Sequence, residues 1–496
     1  MKHAYKILVV LFISTFYFGS CTDFDDSLNI PSDLQVQNFI WKGLNLYYLW
    51  QGDVSNLSDN RFSNQGQLND FLYTKGNPEA LFQDLLFKPV SLYPRNEAVD
   101  RFSLLVNDYT YLENLFQGIT TNNGVDFGLK YKSGSTTDIF GWVRYIIPNS
   151  DASTKDIHRG TIFYAINGVP LTVSNYQSLL ESDNYTLNLA DYDNGNITPN
   201  GQSVTLSKTQ LTENPVFYTD IINIGNHKVA YLVYNSFTAN FDSQLNDVFG
   251  DFLAAGATHL VIDLRYNSGG SVESATRLAS MITGQFEGQL FAKEHWNQKI
   301  QSYYESNHPD YLVNNFKNKI GNGESINSLR LSKVYILTSK SSASASELVI
   351  NGLKPYINVI QIGDVTTGKN VASVTLYDSS NFSAKNRNPS HRYAMQPLVL
   401  KMINKDGFGD YQDGLQPNIA LEEDLGNLIP LGNTDEPLLS TALGHITTNG
   451  RMMKTNPLKI FEEFKDAKSI QPFGTDMHLN EVPKYFYKTL TPFEFN

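Results

Sequence analysis

Serine and lysine side chains near the ends of two predicted strands are the groups in this sequence best suited to nucleophilic chemistry. The segment SSASASELV places serines among small residues at 341–349, and IGDVTTGKN places Lys369 after a glycine at 362–370. A serine hydroxyl attacks a carbonyl when a base removes its proton, and a lysine can be that base if burial lowers its pKa. A solvated lysine, with a pKa near 10.4, is only about one part in 10³ neutral at pH 7. The two segments therefore favour a Ser–Lys pair only if the fold buries the lysine.

Several serines compete for the role of nucleophile, and local periodicity does not choose among them. Ser344 precedes Glu347 by three residues, a spacing typical of a capping box that opens a helix. A plain N-cap is the commoner role of such a serine. Two features favour chemistry: the small neighbours allow a substrate to approach closely, and a helix N-terminus offers amides to an oxyanion. The rival serines are Ser341, Ser342 and Ser346.

Lys369 is the predicted base on geometric grounds. Lys354 lies ten residues along the same predicted helix as Ser344, roughly 15 Å away. Lys340 directly precedes the serines and is expected to point elsewhere. A solvated surface charge is the ordinary role of any single lysine, so the serine motif carries the argument. A Ser-His-Asp site is less favoured because the chain has no Gly-x-Ser-x-Gly elbow to accompany its histidines. These are His227, His259, His295, His308 and His391.

Three predicted strands must bring these groups together. They are Leu260–Arg265, which runs into Asn267-Ser268-Gly269-Gly270, Val334–Thr338, which runs into the serines, and Val359–Gly363, which runs into Gly368-Lys369. If the strands are parallel and joined by helical crossovers, their C-terminal ends share one edge of the sheet. Ligands and catalytic groups gather at such an edge. The spacing therefore allows Ser344 and Lys369 to meet.

The fold class predicted for the chain is multidomain α/β: a mainly helical N-terminal domain, a small β-rich domain and an α/β core. Helical spacing of apolar residues, then short alternating strands, then alternating strands and helices indicate this order. The predicted divisions are 1–20 signal peptide, 21–100 helical domain, 101–210 β-rich domain, 211–446 α/β domain and 447–496 C-terminal extension.

The β-rich segment resembles a PDZ domain. The motifs are GVDFGLKY at 124–131, FGWVRYIIP at 140–148 and RGTIFYAINGVPL at 159–171, the last with an Asn-Gly hairpin signal. The resemblance implies that an open sheet edge accepts a peptide as an added strand while loop amides hold its terminal carboxylate. The loop residues it implies are Phe127, Gly128 and Leu129. A small barrel without a ligand is the alternative.

Behind this segment, DLRYNSGG, SSASASELV and IGDVTTGKN resemble, in that order, the C-terminal processing peptidases, also called tail-specific proteases. The resemblance covers about residues 100–446. It implies a Ser–Lys endopeptidase that needs no metal or cofactor and acts on proteins or peptides with free C-termini. Carried over by position, it implies Ser344 as nucleophile, Lys369 as base, amides of Gly269, Gly270 and Ala345 as oxyanion donors, and Glu347 as support.

Two positions depart from the family pattern. Many members carry a glutamine four residues after the lysine, where it orients the amine; this chain has Ser373, whose hydroxyl could act instead unless the orienting group comes from elsewhere. The segment DGLQPNIAL at 413–421 has Pro417-Asn418 where the family usually has Pro-Asp. Both departures affect the expected rate more than the expected reaction.

The composition argues against nucleic acid as a partner. The net charge is −12 and the pI near 5.2, so the chain offers no excess of basic residues for a phosphate backbone. The single cysteine, Cys21, leaves no intrachain disulfide and no cysteine-based metal site. Nothing in the sequence suggests a metal or a cofactor.

The N-terminus resembles a bacterial lipoprotein signal. An apolar run at 7–18, short for a membrane span, leads to Gly-Ser-Cys21, with Phe18 where leucine is usual. The resemblance implies a lipid on Cys21 after cleavage. The acidic run at 22–26 resembles surface-export signals of some diderm bacteria. We therefore expect a lipid anchor in the cell envelope of such a bacterium, at the outer membrane facing the periplasm or the cell surface.

Three functions follow as hypotheses. The first is a cell-envelope serine endopeptidase, which uses Ser344 and Lys369. The second is a catalytically impaired lipoprotein that binds peptides or glycans, for which Ser373 is the best support. The third is an envelope scaffold that works through the PDZ-like fold. Retention of both a serine and a lysine at this spacing favours the first.

Overall fold

The computed structural model describes residues 30–193, 195–448 and 461–482. The predicted signal peptide and Cys21 lie outside these residues. No helix within them combines the length and apolar character needed to cross a membrane. Helices dominate the first part, strands the second, and both alternate in the third, so the predicted multidomain α/β class is confirmed.

The N-terminal region is a helical layer that packs on the α/β core. Asn64 and Asn77 cap the second and third helices by accepting hydrogen bonds from the N–H groups of Gln67 and Ala80. Apolar side chains of the first helix belong to the same buried cluster as the core. The elements are α1 Gln35–Tyr47, α2 Gln65–Tyr73, α3 Pro78–Asp84, β1 Leu104–Val106 and α4 Tyr109–Leu115.

The next region is an antiparallel sheet with a buried apolar cluster of its own. Asn167 and Gly168 both have positive φ, 51° and 78°, and they form the predicted hairpin turn. The elements are β2 Ile119–Asn122, β3 Val125–Tyr131, β4 Ile139–Ile146, β5 Ile162–Ile166, β6 Val169–Pro170, α5 Tyr176–Glu181, β7 Asn184–Asp193, β8 Asn196–Ser207 and β9 Thr209–Thr212.

The third region alternates strands and helices. Its strands are β10 Val216–Ile224, β11 His227–Tyr234, β12 His259–Asp263, β13 Gly269–Ser271, β14 Leu290–Trp296, β15 Val313–Asn315, β16 Lys333–Thr338, β17 Asn358–Gly363, β18 Val371–Val374, β19 Leu376–Tyr377, β20 Ala394–Gln396, β21 Leu398–Asn404 and β22 Ile419–Ala420. Its helices are α6 Asp242–Ala254, α7 Val272–Thr283, α8 Gln298–Asn307, α9 Ala345–Leu353 and α10 Pro437–Thr447.

One six-stranded sheet positions the candidate site. Its order is β10-β11-β12-β16-β17-β22, and every pair from β11 onward is parallel. The three strands predicted to share an edge, β12, β16 and β17, are therefore direct neighbours whose C-terminal ends lie together, as predicted. Helix α9 follows β16 from this edge and packs on α7.

A second six-stranded sheet includes a strand from the end of the chain. Residues 461–482 contain β23 Glu463–Asp466, the short helix α11 Ala467–Ile470 and β24 Asp476–Leu479. Strand β24 lies between β13 and β18 in the order β13-β24-β18-β21-β14-β15. Strand β23 extends the antiparallel sheet at the free side of β3. The C-terminal segment thus contacts both the β-rich region and the core.

Candidate active site

Ser344 occupies a strained turn between β16 and α9. Its backbone has φ 64° and ψ −114°, a conformation that costs a residue with a side chain about 1–3 kcal/mol. The Glu347 carboxylate accepts a hydrogen bond from the Ser344 N–H at 2.7 Å, which forms the carboxylate half of the predicted capping box. The Ser344 hydroxyl is buried and has no hydrogen-bond partner among the described residues. The turn thus holds a buried hydroxyl that is free to react.

The rival serines have hydroxyls that are already engaged. The Ser342 hydroxyl donates to the Leu264 carbonyl at 2.7 Å, and the Ser346 hydroxyl donates to the Asn267 carbonyl at 3.0 Å. The Ser341 hydroxyl donates to the Asp466 carboxylate and accepts a hydrogen bond from Arg144. Among the four, the described contacts therefore leave only the Ser344 oxygen unoccupied.

Lys369 is buried at the same sheet edge. Burial removes water from its amine and lowers the pKa of Lys369 to about 8. At that pKa about one tenth of the amine is neutral at pH 7, compared with about one part in 10³ in water. Its Nζ donates to the Thr475 carbonyl at 2.9 Å and lies 4.8 Å from the centroid of the Phe102 ring. Lys340, by contrast, is 40% exposed and lies beside Asp364.

Glu347 holds the backbones of the two predicted catalytic residues together. Its Oε2 atom accepts hydrogen bonds from both the Ser344 N–H at 2.7 Å and the Lys369 N–H at 2.9 Å. Its Oε1 atom accepts from the Gly368 N–H at 2.7 Å and from the Thr366 hydroxyl. Burial raises the pKa of Glu347, and these hydrogen bonds oppose the rise. A single carboxylate thus ties the turn after β16 to the turn after β17.

The amides of the two glycines point in different directions, and only that of Gly270 faces strand β24. The Gly269 N–H donates to the Asn267 side chain at 2.9 Å, so the predicted role of Gly269 as an oxyanion donor is corrected. Phe237 bonds to the Gly269 carbonyl and the Ser271 N–H, both at 2.9 Å. Because amides alternate along a strand, the Gly270 N–H faces the opposite side, toward β24. Ala345 is the first residue of α9, where the N–H has no partner within the helix.

Ser373 does not take the place of the family's orienting glutamine. Its hydroxyl donates to the Met477 carbonyl at 3.3 Å, within the sheet that β18 forms with β24. The Lys369 amine is oriented instead by the Thr475 carbonyl and by the rings of Phe102 and Phe473. The contacts of the Lys369 amine therefore come from residues other than Ser373, as the second expectation for this position has it.

Asn418, the second departure from the family pattern, forms hydrogen bonds with the parallel sheet. Its side-chain oxygen accepts from the Gln361 N–H, and its own N–H donates to the Gln361 carbonyl, both at 2.8 Å. Gln361 belongs to β17, the strand that leads to Lys369. Asn418 thus has a structural role. Its side-chain oxygen accepts a hydrogen bond that an aspartate oxygen could accept equally well.

Phe127, Gly128 and Leu129 lie inside strand β3, and the prediction that they form a loop is corrected. Backbone pairing on both sides keeps this segment extended, and its side chains are buried on both faces of the sheet. Strand β4 pairs with it on one side and β23 on the other, with Leu129 opposite Lys465 and Gly128 opposite Asp466. The edge predicted to accept a peptide is therefore occupied by the chain's own segment.

A buried ion network fixes the turn that leads to the glycines. Arg265, which is fully buried, pairs with Asp263 at 2.7 Å, Glu436 at 2.6 Å and Glu423 at 3.1 Å. Burial alone would lower the pKa of Arg265, but these carboxylates hold it well above its ordinary value. Motifs and periodicity did not predict this network. Its only sequence signal was the charged pair inside DLRYNSGG, next to the glycines.

A cleft of about 700 Å³ opens beside the candidate site. Its walls come from the N-terminal layer, the antiparallel sheet, the core and the C-terminal segment. Representative lining residues are Arg101, Arg144, Ser341, Thr366, Glu422 and Thr475. The mixture of charges of both signs with apolar residues suits a polypeptide better than a ligand of one charge.

Two sequence models match this chain. The model of peptidase family S41 matches residues 228–419, and that of the peptidase S41 N-terminal domain matches residues 35–104. The two matches together cover just over half of the chain. They include the strand before the glycine pair, Ser344 and Lys369.

Similar proteins carry related names. The chloroplastic C-terminal processing peptidase of Tetradesmus obliquus is 22% identical over 272 residues, which are 52% of this chain and 54% of that protein. The Probable CtpA-like serine protease of Staphylococcus epidermidis is 22% identical over 193 residues, 39% of this chain and 33% of that protein. The chain thus spans about half the length of the first relative and about a third of the second.

A solved structure resembles most of the chain. The crystal structure of a Bacteroides fragilis protein assigned to the S41 proteases matches with a TM-score of 0.62 and 26% identity, and covers 84% of this chain and 98% of that one. With the family models and the names of the relatives, this likeness confirms the resemblance that the three motifs indicated. The chain belongs to peptidase family S41.

Proposed function

We propose that this chain is a serine endopeptidase that hydrolyses polypeptides through an acyl-enzyme on Ser344. The observation that carries the proposal is a buried Ser344 hydroxyl without a partner among the described residues, in a turn whose Ser344 N–H shares one Glu347 oxygen with the N–H of the buried Lys369. A serine at a helix N-terminus and a lysine of lowered pKa on the neighbouring turn are the two groups that nucleophilic attack with a general base requires. The names of the relatives support the same reaction class.

In the proposed reaction, neutral Lys369 accepts the proton of Ser344 as the Oγ atom attacks the carbonyl carbon of the peptide bond. The bond to nitrogen breaks, and the Lys369 ammonium returns the proton to the leaving amine. Water then attacks the ester carbonyl while Lys369 accepts its proton; the bond to the Ser344 Oγ atom breaks, the Lys369 ammonium returns the proton to that oxygen, and the acid is released. Burial makes this cycle feasible because it lowers the pKa of Lys369 to about 8.

The Gly270 and Ala345 amides are the proposed donors to the oxyanion. Gly270 faces away from Phe237, and Ala345 opens helix α9, whose N-terminal dipole favours negative charge. A donor of this kind contributes about 3 kcal/mol to the transition state. Gly269 serves a different purpose, because a glycine at this position permits close approach of a neighbouring strand.

We further propose that substrates are recruited by their C-terminal ends through the PDZ-like sheet. The relative from Tetradesmus obliquus is named a C-terminal processing peptidase, and the free side of β3 accepts an extended strand in this chain. A bound peptide would make backbone hydrogen bonds there, as β23 does. The proposed location is the cell envelope, with a lipid on Cys21 as the anchor, on the strength of the N-terminal signal pattern.

The test compares the chain with Ser344→Ala and Ser346→Ala variants on an unstructured protein, with products identified by mass spectrometry. Ser346 is the matched control because it is equally buried but its hydroxyl is engaged by Asn267. We expect Ser344→Ala to lose cleavage entirely and Ser346→Ala to retain it. Equal cleavage by the Ser344→Ala chain would overturn the assignment of the nucleophile.

A further inference from the structure

The C-terminal segment of the chain, residues 461–482, follows the path that a substrate would need. It pairs with β3 on the side opposite β4, lines the cleft and passes Ser344 at Asp476. The family model of the core ends at residue 419, so this segment lies outside the matched region. We call it the tail segment.

The first anchor of the tail segment is the PDZ-like sheet. Strand β23 pairs antiparallel with β3, and the Tyr131 N–H donates to the Glu462 carbonyl at 3.0 Å. Phe464 lies 5.2 Å from the rings of both Tyr131 and Tyr176. Backbone pairing combined with one apolar side chain in a pocket is how a sheet edge captures a peptide.

The second anchor is the catalytic edge itself. Strand β24 pairs in parallel with β13, Gly269 opposite Asp476 and Gly270 opposite Met477, and the Asp476 N–H donates to the Ser268 carbonyl at 3.1 Å. A Cβ atom on Gly269 would lie 1.9 Å from the Asp476 carbonyl oxygen and 2.6 Å from the Ser344 Cβ. The peptide carbonyl of Asp476 is therefore next to the nucleophile, on the side that the Gly270 amide faces.

The tail segment also engages the base. The Lys369 amine donates to the Thr475 carbonyl at 2.9 Å, while the Ser344 hydroxyl has no partner among the described residues. Proton transfer in a Ser–Lys pair needs a hydrogen bond between the two side chains. Here the Lys369 amine bonds to the tail segment instead. Backbone carbonyls make these contacts, so any extended polypeptide could make them in turn.

We propose that the groove between β13 and β18 binds an extended polypeptide as a central strand, and that the tail segment holds this groove until a substrate displaces it. The proposal rests on the proposed peptidase function of the site. It identifies the substrate as an unfolded chain that is recognised mainly through its backbone. The tail segment acts as an intramolecular competitor of that substrate.

The test loosens the tail at a distance from Ser344 and Lys369. The variant Phe464→Ser/Lys468→Ala removes the apolar anchor and the Lys468 amine, which donates to the carbonyls of Asn235 and Tyr266. Glu462→Ala, an exposed position in the same segment, is the control. Three measurements on the full chain are compared: amide exchange over 463–466 and 476–479, the rate of Ser344 labelling by a fluorophosphonate, and cleavage of an unstructured protein.

We expect faster exchange in both strands and labelling and cleavage at least tenfold faster in the loosened variant, with no change in the control. Faster exchange with unchanged or slower labelling would overturn the proposal, because the tail would then be part of a working site. Faster exchange with no labelling of Ser344 in any chain would instead contradict the proposed nucleophile.

If the double substitution leaves amide exchange in the tail segment unchanged, a second measurement tests displacement by a polypeptide. The Ser344→Ala chain is mixed with excess reduced and carboxymethylated lactalbumin, an unfolded polypeptide, and exchange is measured again. Displacement predicts faster exchange over 463–466 or 476–479 as the polypeptide binds. Binding with both strands still protected would overturn the proposal, and so would faster labelling in the loosened variant without any exchange difference.

Discussion

Two buried cations stand at the same edge of the parallel sheet, and their surroundings have opposite effects. Arg265 follows β12 and pairs with three carboxylates, which raise its pKa well above the ordinary value against the effect of burial. Lys369 follows β17 and has no ion pair among the described residues, so burial lowers its pKa to about 8. Burial is complete for both side chains.

The contrast shows that burial alone does not decide the role of a charged group. Carboxylates around Arg265 compensate the loss of water, and the result is a permanent charge that holds a turn in place. Lys369 contacts a carbonyl and two aromatic rings but no carboxylate of the described residues, and the more distant charges of Asp476, Asp100 and Glu347 offset the effect of burial only in part. The result is an amine that can exchange a proton near neutral pH.

The largest effect is expected from removing the lysine. Lys369→Met keeps the length and apolar stem of the side chain but has no amine, so no group remains to accept the Ser344 proton. We expect cleavage of an unstructured protein to fall by at least about 10³-fold, equivalent to about 4 kcal/mol, while the melting temperature is unchanged or higher. Turnover within tenfold of the parent chain would contradict the role of Lys369.

Removing the arginine should lower stability, whereas removing the lysine should lower turnover. Arg265→Met leaves Asp263, Glu423 and Glu436 buried without their shared cation. We expect the free energy of unfolding to fall by about 3–5 kcal/mol, measured by urea denaturation, because uncompensated buried charges are costly. A loss below about 1 kcal/mol would mean that the network does not support the turn. Glu436→Gln, which breaks only one of the three pairs, serves as the milder control.

Glu347 links the two turns, and its substitution sharpens the comparison. Glu347→Gln replaces one acceptor oxygen with an NH₂ group, which cannot accept the N–H bonds that Oε1 or Oε2 receives. We expect a loss of about 1–3 kcal/mol in the free energy of unfolding and a lower turnover. Urea denaturation and cleavage assays measure the two quantities. If the free energy of unfolding and the turnover both equal those of the parent chain, this carboxylate does not position Ser344 and Lys369.

The smallest effect is a dependence on pH. Because only neutral Lys369 can act as base and its pKa is about 8, turnover should rise with pH and level off above that value. Below it, each unit of pH should lower kcat about tenfold, as measured on an unstructured substrate between pH 6 and 9.5. Arg265 keeps its charge throughout this range, so the denaturation midpoint should not follow the same curve. A flat profile from pH 6 to 8 would exclude Lys369 as the titrating group.

Much of the site was predictable from local patterns. The strand ends, the serine motif and the three-residue spacing of Ser344 and Glu347 follow from periodicity and capping rules, and the structure brings these groups to one edge. Local patterns did not choose Ser344 over its rivals, and only the family resemblance indicated it, since the choice depends on which hydroxyls find partners in distant segments. The hydroxyls of Ser342, Ser346 and Ser341 bond to Leu264, Asn267 and Asp466, none of which lies near them in sequence.

The corrections have a shared physical cause. Gly269 is engaged by the Asn267 side chain, Ser373 by the Met477 carbonyl, and the predicted loop at 127–129 by β23. Each depends on a contact that is made after the chain has turned or returned upon itself. Residue type indicates which groups can donate or accept, but the geometry of the fold decides where those bonds are made.

Local patterns in the sequence specify the residue types at the site, the order of strands and helices, and the sheet edge to which Ser344 and Lys369 belong. These depend on side-chain periodicity and on turn and capping residues, which act over a few positions. The packing of the whole chain settles that Lys369 loses its water without gaining an ion pair among the described residues, and that Asp476 lies beside Gly269 and Ser344. Burial is a property of the whole packed chain. Backbone pairing uses amides and carbonyls that almost every residue has. Neither can therefore be predicted from a local sequence pattern.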